Sequence, residues 1–459
     1  MGPSTEPSPL IRSIDDLEAT FHAGAKPRDA WKIGVEYEKP VVHARGGEAV
    51  PYEGEAGIGR LLDLLRERFP KWKPVMEGDH VIALEDGASS ITLEPGGQLE
   101  MSGQQCGTLH CANEELQRHV REILEAGDIL GIRFLGLGIV PKTPLERIPW
   151  MPKQRYRIMR EIMGRTGRLG RRMMAQTATV QCNFDYSDER DALRKMRLSL
   201  ALGPMLVAMS ANSPVVDGAP TGFQSYRAHI WTDTDPDRCG SLPFVFRTES
   251  LFRAYTEYAL DVPMYFVWRD GGYREVGGIT FRRFLETGFE GERATLADWT
   301  LHLTTLFPEV RLKTYIEVRS ADSQPVDLML GTPALMKGLF YDDDALDAAL
   351  EVARGWDPAS LPEIHEGAAR SGLAGRAGRL RLADYAAEIV TIARTGLARQ
   401  ARRDPDGKDE TIYLDLLEEN VRAGRNPAVG LIERWEGEWN RSVDALIAAS
   451  TYRATRNIA

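Results

Sequence analysis

No stretch of this chain constrains its fold more than Trp31–Pro40, which reads WKIGVEYEKP. Apolar Ile33, Val35 and Tyr37 alternate with Gly34, Glu36 and Glu38. A β-strand turns successive side chains to opposite faces, so residues two apart are neighbours about 6.5 Å from each other. One face of this strand is then apolar, and the other carries two like charges side by side. Such a pair repels unless water or a cation intervenes.

The same grammar returns three times. Leu93, Leu99 and Met101 alternate with Glu94, Gln98 and Glu100 around a Pro-Gly-Gly turn that would put those three polar residues on one face. Val180, Cys182 and Phe184 alternate with Thr179, Gln181, Asn183 and Asp185. Ile316 and Val318 alternate with Tyr315, Glu317 and Arg319. A sheet with one wet face also alternates, but wet faces usually mix Lys, Thr, Ser and Glu. Here the polar positions are mostly carboxylate and carboxamide. Glu36, Glu38, Glu94, Glu100 and Glu317 on facing strands call for cations, and hard cations such as Mg²⁺ prefer oxygen ligands. The expected feature is a carboxylate-lined cleft that holds Mg²⁺.

A basic counterpart accompanies it. Residues 153–172, KQRYRIMREIMGRTGRLGRR, carry eight Lys or Arg and one acid in a chain of net charge −10. Arg311, Lys313 and Arg319 alternate with apolar residues, and Lys39 directly follows the first glutamate pair. Metal ligands beside Arg and Lys fit a nucleoside triphosphate, whose charge both would neutralise. For 153–172 a solvated basic helix or loop is the competing reading. There is no GxxxxGK[ST] loop, no complete dinucleotide fingerprint, no GxSxG elbow and no HExxH. The nucleotide is therefore expected on side chains and metal over an antiparallel sheet.

The other segments predict helices at 14–27, 55–69, 113–130 and 189–211, with nearly all of the chain helical from about 332. Hairpins are predicted at 79–101 and within DVPMYFVWRDGGYREVGG, and strands at RFLGLGIVP, RLKTYIEVRSAD and the start of AHIWTDTDPDR. Strands from distant parts of the chain with helices on one face make an α+β fold. Residues 1–12 read as a flexible tail and 13–459 as one large unit, with 367–378 the best candidate for a seam. The net charge argues against a nucleic-acid partner. The absence of an 18-residue apolar run or a signal-like start predicts a cytoplasmic protein with no membrane contact. Cys106, Cys111, Cys182 and Cys239 lack zinc spacing and are expected as reduced thiols.

LEPGGQLEMSG, MPKQRYRIM, TVQCNFDYSDE, RAHIWTDTDPDR and HLTTLFPEVRLKTYIEVRSAD closely resemble glutamate–cysteine ligase of the plant and proteobacterial type, almost collinearly from about residue 30 to 445. The resemblance implies a glutamine-synthetase-like fold, a curved antiparallel sheet forming a funnel with helices outside. It also implies ATP- and Mg²⁺-dependent joining of the glutamate γ-carboxylate to the cysteine amine through a γ-glutamyl phosphate, the first step of glutathione synthesis. A related ligase using a different amine is the alternative. Partners would be small molecules, and the protein a monomer or homodimer. By position, Glu36, Glu38, Glu94, Glu100, Glu317 and Asn183 resemble the Mg²⁺ ligands. Arg319 looks like the phosphate-contacting arginine, acting with Glu317 in catalysis. Lys39, Arg311 and Lys313 correspond to ATP contacts. Arg155, Tyr156, Arg227 and Trp231 resemble the glutamate-binding set. The chain departs from the family at Tyr37 and Pro40, where the usual strand reads Thr-Glu-His-Glu-Lys-Phe, and at Asn113, which takes the slot of a regulatory cysteine of the plant enzymes.

Overall fold

A computed structural model describes residues 8–453. At its centre eight strands form one sheet: β1 (Ile33–Lys39), β2 (Lys73–Glu77), β3 (His80–Glu85), β4 (Ser90–Leu93), β5 (Leu99–Ser102), β6 (Thr179–Phe184), and two strands from much later in the chain. Between them in sequence, β7 (Phe266–Arg269) and β8 (Gly272–Glu275) make a separate hairpin; β9 (Val310–Leu312) and β10 (Ile316–Asp322) complete the sheet. The order across the sheet is β9-β10-β6-β1-β5-β4-β3-β2, and every neighbouring pair is antiparallel. The fold is α+β, with helices around the sheet and a helical C-terminal part.

The alternation in the sequence decides which face is which. Ile33, Val35, Tyr37, Leu99, Met101, Val180, Cys182 and Phe184 are buried in one apolar cluster. That cluster includes Leu116 and Val120 of the helix Leu109–Leu130 and Leu335 and Leu339 of the helix Gly331–Phe340. The opposite face carries polar residues in cross-strand rows. Arg311, Glu317, Asn183 and Gly34 form one row, Gln181, Glu36 and Ser102 the next, and Glu38, Glu100 and Thr92 the third. The β4–β5 turn lets Glu94 continue this face. Gly97 takes φ +85°, and a Cβ on Gly96 would lie 1.9 Å from the Ala175 carbonyl oxygen, so only glycine fits there. Gln98 leaves the face to donate to the Thr177 carbonyl at 2.7 Å.

Several expectations need correction. Residues 1–7 of the predicted tail lie outside the described residues. Residues 8–12 are bonded rather than loose: Ile11 N donates to Ala294 O, and Ser8 Oγ accepts from Ala297 N. The 79–101 stretch is a three-strand meander, β3 to β5, because it contains two turns. Only Ile132–Phe134 of the RFLGLGIVP region is a strand, and RLKTYIEVRSAD divides into β9 and β10. The strand expected at AHIW is the helix Tyr226–Trp231, capped by Ser225 Oγ, which accepts from Ala228 N. Its cap outweighs the β-propensity of Ile230 and Trp231. The proposed seam is packed: Ala368, Leu373 and Ala377 belong to the same apolar cluster as β1. Cys106 and Cys111 form a disulfide, while Cys182 and Cys239 are free thiols. Cys106 pairs with Ile33 through two backbone hydrogen bonds, and Cys111 lies in the first turn of the next helix. That places their Cα atoms 5.7 Å apart, within disulfide reach. No described helix is long and apolar enough to cross a membrane.

Candidate active site

The polar face of the sheet walls a cavity of about 470 Å³. Glu36, Glu38, Glu94 and Glu100 line one part of it and Arg311, Lys313 and Arg319 another. Both parts follow from register: β1 and β5 bring Glu38 opposite Glu100, and β9 and β10 bring Arg311 opposite Glu317.

The carboxylate part is short of positive charge. Burial, reinforced by Glu317 and Glu100, pushes Glu36 up to about 7. Burial, together with Glu94 and Glu100, holds Glu38 well above the carboxylate range. Burial and Glu94 also raise Glu100. The hydrogen bonds present are adjustments to this crowding. Asn183 Nδ2 donates to Glu36 Oε1 at 2.9 Å, Thr179 N to Glu38 Oε2 at 3.0 Å, and Thr92 Oγ1 to Glu100. Glu36 and Glu100 are hydrogen-bonded to each other. The Asn183 Oδ1 atom is buried with no partner among the described residues. No group of three or more His, Cys, Asp or Glu among the described residues forms a ready cation cage. The donors are nevertheless all hard oxygens, the carboxyls of Glu36, Glu38 and Glu100 are driven toward the protonated form by burial and by neighbouring carboxylates, and one amide oxygen is unsatisfied. That set fits a divalent hard cation.

The cation part is the reverse. Glu317 is fully buried. Its Oε2 accepts from Arg311 Nε at 2.6 Å and Arg319 Nη1 at 2.9 Å; its Oε1 accepts from Arg311 Nη2 at 2.9 Å and Lys313 Nζ at 3.1 Å. Burial disfavours its charge, but Arg311, Lys313 and Arg319 outweigh burial and hold it well below the usual range. All four lone-pair directions of this carboxylate are used. Glu317, expected from the sequence as a metal ligand, here organises three cations. Arg319 also donates to Gln181 Oε1.

Lys39 is a correction to the expectation. It lies one residue past Glu38, so strand alternation turns it to the other face, where it is fully buried with its Nζ 2.8 Å from His119 Nε2. Burial brings it down to about 7. It does not line the cavity.

The basic segment 153–172 splits. Lys153, Arg155 and Tyr156, at the start of the helix Gln154–Thr166, line the cavity; Lys153 Nζ and Tyr156 Oη both donate to the Leu93 carbonyl. Arg157, Arg160, Arg165, Arg168 and Arg171 are exposed, as the solvated-helix reading has it. Arg227 and Trp231 sit four apart on one helix and both line the cavity. Arg227 is buried and donates to the carbonyls of Arg319 (2.9 Å) and Ser320 (3.3 Å).

Sequence reasoning missed an aromatic wall. Phe266, Trp268 and Tyr273 of the β7–β8 hairpin face the cavity, with Tyr273 ring-to-ring against Phe266 at 4.7 Å and against Trp268 at 4.8 Å. The period-2 spacing of Phe266 and Trp268 in the predicted hairpin was the available signal. Phe307, also in the wall, carried none. A second cavity of about 470 Å³, lined by Lys32, Gln105, Asn183 and Tyr315, meets the first at Glu36 and Ser102.

Comparison with known proteins agrees with this geometry. The family model of glutamate-cysteine ligase family 2 (GCS2) matches residues 32–448. The chloroplastic glutamate–cysteine ligase of Brassica juncea is 43% identical over 447 residues, covering 97% of this chain and 85% of that protein. Glutamate–cysteine ligase B of Oryza sativa subsp. japonica, also chloroplastic, is 41% identical over 443 residues, covering 95% and 87%. The crystal structure of glutamate–cysteine ligase from Francisella tularensis in complex with AMP superposes with a TM-score of 0.53 at 12% identity, over 92% of this chain and 87% of that one, and attests the fold. The expectation of a cytoplasmic protein is overturned by the plant relatives, which are named as chloroplastic. With an antiparallel sheet facing carboxylates toward cations across one cavity, and a family match over almost its whole length, the chain is an enzyme that belongs to glutamate-cysteine ligase family 2.

Proposed function

We propose that this protein joins the γ-carboxylate of L-glutamate to the amine of L-cysteine at the expense of ATP. The observation that carries this reading is the single cavity in which four crowded glutamates face Arg311, Lys313 and Arg319. A phosphoryl-transfer site needs both halves, because transferring phosphate brings charge that metal and fixed cations must spread.

Glu36, Glu38, Glu94 and Glu100, with Asn183 Oδ1, would hold Mg²⁺. When bound, Mg²⁺ supplies charge neutralisation for the ATP phosphates. A γ-carboxylate oxygen of glutamate takes the γ-phosphoryl group and ADP leaves. The amine nitrogen then attacks the acyl carbon, loses a proton, and inorganic phosphate departs. The protein's part is positioning and electrostatics, with no covalent nucleophile. Arg319, fixed by Glu317 and Gln181, faces the phosphoryl group in flight. Arg311 and Lys313 are held by Glu317 so that their charge is in place before substrate arrives. Arg155, Tyr156, Arg227 and Trp231 receive glutamate, and the forked guanidinium of Arg227 suits a carboxylate. The polar cavity beyond Glu36, beside Lys32 and Tyr315, is read as the nucleoside end. One chain performs all of this, residues 13–459 acting as a single catalytic unit.

The test is incubation of the purified protein with ATP, Mg²⁺, L-glutamate and a panel of amines, with mass detection of products. γ-Glutamylcysteine formed one-for-one with ADP is expected. ADP without any new amide would overturn the ligase reading, and an amide with a different amine only would replace cysteine as the acceptor.

A further inference from the structure

A second, smaller pocket lies behind the glutamate-binding wall. It has about 30 Å³ of room and shares Arg227, Trp231, Phe307 and Arg319 with the main cavity. Glu309, Ser320 and His365 complete it. This volume suits two or three water-sized groups, given about 10–15 Å³ for each.

Its polar atoms are short of partners. Ser320 is 6% exposed and His365 8% exposed, and both Ser320 Oγ and His365 Nδ1 are buried without a hydrogen bond among the described residues. Trp231 Nε1 is in the same condition. His365 Nδ1 does approach Glu309 Oε1 to 3.2 Å, close enough for an ion pair, but off the direction of a hydrogen bond. The Glu309 carboxylate has no other hydrogen bond or ion pair among the described residues. Buried polar atoms are normally satisfied, and Trp231 Nε1 can only donate, but Ser320 Oγ and the under-used Glu309 carboxylate are acceptors without a donor, which points to a ligand group that donates.

The rest of the site says which group. A free amino acid brings an ammonium and a carboxylate on one carbon, besides its reacting group. Cations for the carboxylates are plentiful, but acceptors for the ammonium are few. Asp322, beside Arg227, already accepts from Asn212 N, Ser213 Oγ and Ser225 Oγ, and the Arg227 guanidinium stands 3.8 Å from its Oδ1. Glu77 is engaged by Gln154 N. Glu36, Glu38, Glu94 and Glu100 belong to the crowded wall. Glu309 remains, next to the Arg227 guanidinium that suits the α-carboxylate.

We propose that Glu309, braced by His365, binds the α-ammonium group of the glutamate substrate, with Ser320 Oγ as a second acceptor. This deepens the ligase reading and rests on it. The pocket then makes the enzyme select α-amino dicarboxylates over plain dicarboxylates, because a pocket built for an N–H donor is left with unpaired groups when that donor is missing.

The test compares L-glutamate with glutarate, which keeps both carboxylates and lacks the amine, in ADP release with ATP, Mg²⁺ and cysteine. Wild type is expected to prefer glutamate by at least about 10²-fold in kcat/KM. Glu309→Gln should raise the glutamate KM more than tenfold, leave glutarate turnover and the ATP KM unchanged, and collapse the preference to below about tenfold. Glu309→Asp keeps the charge and should keep a reduced preference, which covers the case in which Glu309→Gln does not fold. Equal losses for both substrates, or an unchanged preference in Glu309→Gln, would overturn the proposal while leaving the ligase reading intact. A wild type with no glutamate-dependent ADP release would overturn both.

Discussion

Glu36 on β1 and Glu317 on β10 stand on the same face of one sheet, two strands apart, yet their carboxyls are shifted in opposite directions. Glu36 is pushed up to about 7 by burial and by the carboxylates of Glu317 and Glu100. Glu317 has Arg311, Lys313 and Arg319, and is held well below the ordinary range. Residue type is shared, and Glu317 is the more deeply buried of the two, which alone would raise it further than Glu36, so the difference lies in the partners supplied by adjacent strands. One part of the site is completed by its own side chains. The other is left with excess negative charge that something from solution must neutralise. A site divided in this way has a fixed cationic end and an end that depends on a bound cation.

Breaking the self-sufficient end should have the largest effect. Glu317→Gln leaves Arg311, 7% exposed, without its carboxylate. Removing one partner of a buried ion pair costs about 3–5 kcal/mol, so the urea midpoint should fall by the equivalent amount. A loss below about 1 kcal/mol would show that the three cations do not need this anchor. Arg319→Ala comes next. It should lower kcat about 10²–10³-fold, as expected for removing a group aimed at developing charge, with a small change in the urea midpoint. If KM alone changed, Arg319 would be a binding residue only.

The two ends also differ in the sign of their pH dependence. For Glu36 the folded value of about 7 exceeds the ordinary 4.5, so between these values the folded, metal-free protein holds more protons than the unfolded chain. Its stabilising contribution is full below 4.5 and is lost as pH rises to about 7. For Glu317 the folded value is depressed, so its contribution is present above 4.5 and lost as pH falls. In chelator-treated protein, Glu36→Gln should shrink the decline between pH 4.5 and 7 by about 1–2 kcal/mol for a half-buried group, leaving the shares of Glu38 and Glu100. Urea midpoints across that range measure it. A decline of the same size in the variant would assign the effect to other groups. The smallest effect is expected outside the divided site. Lys39→Met should change stability by about 1 kcal/mol or less and leave the ATP KM within about twofold of wild type. A tenfold rise in that KM would return Lys39 to the phosphates.

The division of the site was partly legible in the sequence. Period-2 alternation identified the polar face of β1, β5, β6 and β10, because a residue's face is a local property, but it failed for Gln98, which lies in the turn before β5 and leaves the face. The same rule, applied to Lys39, would have placed it away from Glu36 and Glu38; proximity in sequence was mistaken for proximity in space. The cage around Glu317 was not legible, because RLKTYIEVRSAD reads as one strand and only the break after Leu312 lets Arg311 fold back opposite Glu317. Arg227 and Trp231 were identified through family resemblance, whereas their local pattern suggested a strand; a serine cap made it a helix. The Cys106–Cys111 disulfide escaped because the spacing was weighed only against zinc. Glu309 offered no signal at all, since its pocket is assembled from the segment before β9, β10 and the helices Tyr226–Trp231 and Leu361–Ser371.

The central claim is that the glutamate γ-carboxylate is phosphorylated before the amine attacks. Glutamate labelled with ¹⁸O in its γ-carboxyl group tests it directly, with mass analysis of the phosphate released during turnover with ATP, Mg²⁺ and cysteine. The mechanism predicts one labelled oxygen in the phosphate for every amide formed. Amide formation with unlabelled phosphate would contradict it.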